Sequence, residues 1–214
     1  MNREQTTVAL WIYTFAVIAF VFLPIATAIL FSFDSNRFPS IPMGALTTHW
    51  YTLALSDPNV WDAARITLTV ALSSSVLATA IGFSAAYTDF RFQFAGKTLY
   101  LILALLPPTI PLIIMAVAML GWFSNFGLSG RVVSIVIAHT VMCTPFAMAI
   151  VRLRLNQMDP ALVAAAWNLG ASEWRAMRSV VLPFALPAII SALCLTTAVS
   201  VDEFAVAWFV SGLN

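Results

Sequence analysis

Long runs of apolar residues alternate with short polar connections along the whole chain. Five of these runs reach about 20 residues, the length that an α-helix needs to cross the hydrocarbon core of a bilayer. They cover residues 8–33, 66–87, 98–123, 132–151 and 184–210. The pattern predicts five membrane-spanning helices, which together account for most of the chain.

Proline residues interrupt the third apolar run near its middle. Pro107, Pro108 and Pro111 each lack the backbone N–H group that a continuous helix requires. Because backbone groups freed in this way cannot face lipid, we expect the interrupted segment to line protein or a cavity. The third run, like the fifth, is therefore a candidate wall of a cavity or pathway.

Ionisable side chains occur inside two further runs. His139 lies in the fourth, and Asp202 and Glu203 interrupt the otherwise uncharged fifth. Such groups are costly in a membrane and usually face a cavity or a pathway. With Pro108 and Thr109 they are our candidate pathway residues, although an acid pair that merely ends a helix at the interface is the alternative. Adjacent helical residues point about 100° apart, so at most one acid is expected to face the pathway.

The composition of the chain excludes an ordinary soluble domain. Of the 214 residues, 61% are hydrophobic and 9% are charged, whereas soluble domains carry about 25% charged residues. A net charge of +1 provides no basic surface for nucleic acid. Gly96-Lys97-Thr98 matches only the end of a phosphate-binding loop, and the sequence shows no set of metal ligands at suitable spacing. We therefore expect no cofactor and no metal in this chain.

The distribution of Lys and Arg predicts that the N-terminus lies in the cytoplasm. With that orientation, the inner segments hold seven of these residues and the outer segments three. Five spans then place Asn214 outside. A signal peptide that ends at Ala28 is the competing interpretation of the first run, but the apolar residues continue beyond that point.

The longest polar break, residues 156–183, predicts two short helices. Asp159 is a good N-cap for the first, and Gly170 can close it in the left-handed conformation. Ser172 would cap the second, which Pro183 is expected to end. Small side chains on the first helix would let a partner protein approach closely along one side, formed by Leu162, Ala165, Ala166 and Leu169.

This loop resembles the EAA loop of binding-protein-dependent ABC importer permeases. With the spacing of that motif, its positions are occupied by Ala164, Ala165, Ala166, Gly170, Leu182 and Pro183. Ala164 stands where the motif has glutamate, so any charged contact of that glutamate is absent. The resemblance extends more loosely over the whole chain, and within the family it is strongest to the spermidine/putrescine permease subfamily.

The resemblance implies an all-α membrane protein, a polytopic helical bundle of the type I ABC importer permease kind, without catalytic activity. Residues 1–214 would form one permease domain, in which residues 156–183, including Asp159, dock an ATPase subunit that binds the ATP. A second permease, a periplasmic or extracellular solute-binding protein and membrane lipid are the other implied partners, and nucleic acid is not. Permeases of this subfamily usually add a sixth helix, so we expect one to be missing after Asn214.

The implied location is the bacterial cytoplasmic (inner) membrane, and the implied substrate is a small solute such as a polyamine or a related cation. Thr109 stands where polyamine permeases of the subfamily tend to carry an acid, which weakens the polyamine assignment. Two other function classes stay open. An ion-coupled secondary transporter would be expected to show paired repeats and midplane acids, and a membrane scaffold would need neither the prolines nor the acid pair.

Overall fold

The computed structural model describes residues 3–211, with side chains from Thr6 onward. Its elements in chain order are α1 (Arg3–Phe31), α2 (His49–Ser56), α3 (Pro58–Arg91), α4 (Lys97–Leu105), a 3₁₀ turn (Pro107–Thr109), α5 (Leu112–Asn125), α6 (Val132–Leu155), α7 (Pro160–Asn168), α8 (Glu173–Ala176), a π-helical turn (Met177–Val181), α9 (Leu182–Asp202) and α10 (Ala205–Ser211). The all-α class expected from the sequence is confirmed. Asn214, on which the expectation of an external C-terminus rests, lies outside the described residues.

The chain divides into two compact units, Met1–Ala63 and Ala64–Asn214. In the first unit, α1 is apolar over Thr6–Phe31. A loop follows in which the Asp34 carboxylate accepts hydrogen bonds from the backbone N–H groups of Asn36 and Gly44, at 2.9 Å each. This loop leads into the short helix α2.

In the second unit, α6 packs against α9 and α10, and α10 packs against α5. Two clusters of buried apolar side chains form the core, one around Met148 and Ala185 and the other around Phe123 and Val206. Gly82 on α3 allows a close helix crossing, because a Cβ atom at this position would lie 2.7 Å from the backbone nitrogen of Met148. Small residues permit such crossings in membrane proteins.

Four helices in the described residues are long and apolar enough to span a membrane, and α5 is a shorter apolar helix. The third predicted span is not one helix but two, α4 and α5, separated by the 3₁₀ turn. The break falls at the prolines, as expected, since they cannot donate the backbone hydrogen bonds of a continuous helix.

The expectation that residues 184–210 form one helix is wrong. Helix α9 ends at Asp202, Glu203 has an extended backbone with φ −82° and ψ 98°, and α10 begins at Ala205. One Glu203 carboxylate oxygen accepts the backbone N–H of Val206 at 2.9 Å. The side chain thus offers the backbone an alternative to the helical hydrogen bond and caps the next helix.

The expectation that Pro183 ends the helix begun at Ser172 is also wrong. Helical structure continues through α8, the π-helical turn and α9, over Glu173–Asp202. In the π-helical turn the backbone N–H of Leu182 donates to the Met177 carbonyl, five residues earlier. Pro183 lies in the first turn of α9, where the wider hydrogen-bond pattern accommodates its missing N–H.

Candidate functional site

The segment of residues 156–183 has the local structure that its sequence predicts up to α8. An Asp159 carboxylate oxygen accepts the backbone N–H of Ala161 at 2.9 Å and so caps α7. Gly170 closes the helix with φ +80°, a conformation that favours glycine. The Ser172 hydroxyl then accepts the backbone N–H of Arg175 at 3.3 Å, at the start of α8.

The orientation of α7 separates the motif's alanines into two groups. Val163 is buried, and Ala166 packs against the same core cluster, so this side of the helix faces the rest of its unit. Ala164 and Ala165 are exposed on the other side, as is Leu169 with 89% of its surface. Ala166 therefore does not lie on the free side with Leu162, Ala165 and Leu169, contrary to the expected docking side.

Leu182 and Pro183, the last two motif positions, lie in the first turn of α9 and are exposed. They belong to the long helix rather than to a loop. The motif thus joins α7, which has one exposed side, to the start of a helix that is apolar enough to span a membrane.

A buried ion pair that the sequence analysis missed lies at the end of α3. The Asp89 side chain is 5% exposed, and its carboxylate contacts Arg152 Nε at 2.6 Å and Lys97 Nζ at 3.2 Å. Lys97 Nζ also donates to the carbonyl oxygens of Asp89 and Phe92, at 2.5 and 3.1 Å. These contacts join α3, α4 and α6.

Arg91, two residues further along α3, contacts the EAA-like segment. Its guanidinium lies 3.2 Å from a Glu173 carboxylate oxygen and 4.7 Å from the ring centroid of Trp167. On α6, Arg154 donates to the Phe184 carbonyl oxygen at 3.1 Å. The sequence analysis used Arg91 and Arg154 only to predict the orientation of the chain, because no local pattern in the sequence indicates their contacts.

A cleft of about 160 Å³ lies between α3, α6 and the junction of α9 with α10. Its lining residues are Ile66, Thr67, Val70, Ile135, His139, Ser200, Val201, Glu203, Phe204 and Ala207. Two of the five candidate pathway residues, His139 and Glu203, therefore line the same cleft. His139 is 1% exposed, and its Nδ1 lies 2.7 Å from the Ser200 hydroxyl oxygen.

The other candidate pathway residues lie elsewhere. Asp202 is exposed at the end of α9 and does not line this cleft, so one acid of the pair faces it. The expected reason, a 100° turn between helical neighbours, does not hold because Glu203 is not helical. Pro108 and Thr109 are exposed on the 3₁₀ turn, where the Thr109 hydroxyl donates to the Leu106 carbonyl at 2.7 Å.

Ser200 and Ser74 are polar residues of this region that the sequence analysis did not single out. Both are buried, and their hydroxyl oxygens lie 3.1 Å apart, although 126 positions separate them in the chain. Serine inside an apolar run is a weak signal, because its hydroxyl can bond to its own helix. Only the packing of α3 against α9 identifies them as a pair.

Comparison with known proteins identifies the family of this chain. Residues 78–213 match the family described as binding-protein-dependent transport system inner membrane component. The chain is 34% identical to the spermidine/putrescine transport system permease protein PotC of Escherichia coli (strain K12), over 92% of this chain and 74% of that protein. It is 28% identical to the putrescine transport system permease protein PotI of the same strain, over 99% of this chain and 78% of the relative.

A solved structure shows the same fold. It is described as a bacterial ABC transporter involved in the import of the acidic polysaccharide alginate, and it superposes with a TM-score of 0.71 at 16% identity, over 94% of this chain and 74% of that one. Family members act as importer permeases together with an ATPase, a second permease and a substrate-binding protein. These findings do not favour a secondary transporter or a scaffold. The chain belongs to the binding-protein-dependent transport system inner membrane components, the permease subunits of ABC importers.

Proposed function

We propose that this permease subunit carries a small organic cation of the polyamine class across the bacterial inner membrane. The observation that carries the proposal is the Glu203 carboxylate in the cleft between α3, α6 and α9. The names of the relatives PotC and PotI, which are spermidine/putrescine and putrescine permeases, support it. The fold by itself does not decide the charge of the cargo, since the alginate transporter handles an acidic polysaccharide.

The charge of the cleft is negative. Glu203 is the one acidic residue among its lining residues, and none of those residues is a Lys or an Arg. One carboxylate oxygen is occupied by the Val206 N–H, which leaves the other available to a ligand. In surroundings of low dielectric constant, an uncompensated carboxylate attracts a cation strongly and disfavours an anion. An ammonium group satisfies both the charge and the hydrogen-bonding capacity of this oxygen.

The coupling of transport to ATP is assigned to residues 156–183, and the ATP itself to the partner subunit. The ATPase would dock on the exposed side of α7, which contains Ala164 and Ala165. Movement of α7 would reach the bundle by two routes, the helix that continues from Glu173 into α9 and the Arg91 contacts to Trp167 and Glu173. Mechanical coupling of this kind requires two packed states of the helical bundle, as alternating access does.

The orientation that fits these assignments places the N-terminus and residues 156–183 in the cytoplasm. The excess of Lys and Arg on that side supports it. The loop between α1 and α3 then faces outward, where a solute-binding protein would deliver the substrate. A second permease subunit would complete the pathway, and this chain would contribute no catalysis and no cofactor of its own.

The proposal is tested with the importer assembled from this chain, its partner permease and its ATPase in proteoliposomes. Labelled putrescine, a cation, and labelled molybdate, an anion that serves as the control, are offered in parallel with the matching binding protein present. ATP-dependent uptake of putrescine and not of molybdate is expected. Uptake of the anion, or no uptake of putrescine by an importer whose ATPase is active, would overturn the proposed substrate class.

A further inference from the structure

Resting on the proposed function, we infer that His139 is a specificity-determining residue that presents its Nε2 atom as a fixed hydrogen-bond acceptor to an ammonium group of the substrate. Ser200 and Ser74 act as positioning residues that hold the imidazole in the tautomer this requires. The inference comes from the directions of three consecutive hydrogen bonds and from one buried nitrogen without a partner.

The directions of the hydrogen bonds follow from counting hydrogens. The Ser74 hydroxyl donates to the Ala71 carbonyl oxygen at 3.2 Å, and a hydroxyl has a single hydrogen to donate. We therefore assign Ser200 as the donor in the 3.1 Å contact between the two serine hydroxyls. With this assignment the Ser200 hydrogen is used, and Nδ1–H of His139 donates to Ser200 in the 2.7 Å contact.

The tautomer fixed in this way leaves Nε2 with a lone pair. In a neutral imidazole one ring nitrogen donates and the other accepts. His139 Nε2 is buried and has no hydrogen-bond partner within residues 6–211. A protonated ring at this position would bury an unpaired charge, which costs far more than a neutral acceptor. Nε2 is thus an acceptor that lacks a donor.

The cleft borders His139, so a donor that enters it comes next to this ring. His139 and Glu203 both line it, and no ion pair joins them in the described part of the chain. Its volume of about 160 Å³ is enough for an ammonium group with its first methylenes or for a few water molecules. Glu203 provides the negative charge, and Nε2 a second acceptor at a different position.

A primary ammonium group matches both acceptors. It carries three N–H donors, so it can donate to the Glu203 carboxylate and to His139 Nε2 at the same time. An anion would meet two acceptors and no donor, and a cation without N–H groups would leave Nε2 unsatisfied. His139 would therefore distinguish ammonium groups from other cations, whereas Glu203 selects for charge.

The first test is the KM of ATP-dependent putrescine uptake by the complete reconstituted importer. His139→Phe removes both ring nitrogens and keeps an aromatic ring, and we expect KM to rise about tenfold with kcat within twofold, since a hydrogen bond to a charged group is lost. His139→Gln should recover most of the difference, because its amide can donate to Ser200 and turn its oxygen toward the cleft. Unchanged KM in His139→Phe would overturn the inference.

The second test concerns the positioning residues. Ser74→Ala removes the acceptor for Ser200, whose hydrogen is then free to turn to His139 Nδ1 and switch the tautomer. ¹⁵N NMR of the imidazole should show Nε2 unprotonated in the unaltered chain and protonated in Ser74→Ala, with a matching rise in KM. Ser75→Ala is the control, because the Ser75 hydroxyl is also buried but donates only to the Leu72 carbonyl.

The outcomes separate this inference from the function on which it rests. If the unaltered importer takes up no putrescine, the proposed function fails and the inference fails with it. If uptake is normal but the imidazole carries its proton on Nε2, or if Ser75→Ala and Ser74→Ala behave alike, only the role of His139 is contradicted. A cleft that holds water alone would give the same KM in His139→Phe as in the unaltered chain.

Discussion

The Arg152 guanidinium on α6 donates a hydrogen bond to the Asp89 carboxylate at the end of α3, with 2.6 Å between Nε and Oδ2. Lys97 at the start of α4 contacts the same carboxylate at 3.2 Å. One nearly buried acid thus fixes the relative positions of three helices. It lies two residues before Arg91, which contacts the segment proposed to receive the ATPase.

Replacing this acid should destabilise the chain. Asp89→Asn leaves the Arg152 and Lys97 cations close together without a counter-charge, and we expect a loss of about 2 kcal/mol in the free energy of unfolding. The loss stays below that of a fully buried pair because the two cations are partly exposed, at 36% and 22%. Thermal unfolding in detergent measures it. Asp62→Asn, an exposed acid on the same helix, is the control, and equal midpoints for both variants would contradict the role of Asp89.

Two glycine variants test the close crossing of α3 and α6. Gly82→Ala would place a methyl group 2.7 Å from the Met148 backbone nitrogen and 2.8 Å from the Ala147 Cβ, and should destabilise by about 1–3 kcal/mol. Gly121→Ala, within α5, meets nothing within 4 Å and should be neutral or stabilise by up to about 1 kcal/mol. The same unfolding measurement compares them. If Gly82→Ala causes no loss of stability, the close packing of α3 against α6 is contradicted.

A pair of neighbouring alanines tests the docking side of α7. Ala165→Glu adds bulk and charge to an exposed position, so the chain should fold normally but crosslink to the ATPase at least tenfold less. Ala164→Glu restores the glutamate of the motif and should leave crosslinking equal or increase it. Crosslinking from α7 to the purified ATPase subunit is the readout. Equal yields for the two variants would show that the ATPase docks elsewhere.

The broken third span gives a prediction about topology. If α4 and α5 cross the membrane together, reporter fusions at Gly96 and Asp159 should read inside, and a fusion at Gly130, between α5 and α6, should read outside. The charge distribution supports this orientation. If the fusions at Gly96 and Gly130 report the same side, α4 and α5 instead enter and leave the membrane on the same face.

Local signals in the sequence predicted local structure well. Asp159 and Gly170 were identifiable as caps because a cap involves only the few residues around it. The prolines likewise indicated where the third apolar run breaks. Helix ends and prolines leave backbone hydrogen bonds unmade, and the residues nearby determine where this happens. The local sequence is therefore enough to predict the position of a cap or a break.

Features that depend on tertiary packing could not be predicted in this way. The Asp89–Arg152 ion pair joins residues 63 positions apart, and the His139–Ser200 contact joins residues 61 apart. The π-helical turn before Pro183 was missed, and a helix end at the acid pair was considered only as the alternative. At both places the backbone departs from the α-helical hydrogen-bond pattern, although helical residues lie on either side.

The most direct test of the proposed transport of a cation compares the two adjacent acids. Glu203→Gln removes the charge in the cleft but keeps an oxygen to accept the Val206 N–H, so α10 should remain capped. Asp202→Asn removes the charge of the exposed neighbour, which does not line the cleft. ATP-dependent putrescine uptake in proteoliposomes, with ATPase assembly verified for each variant, should fall at least tenfold for Glu203→Gln and by less than twofold for Asp202→Asn. Normal uptake by Glu203→Gln would contradict the account.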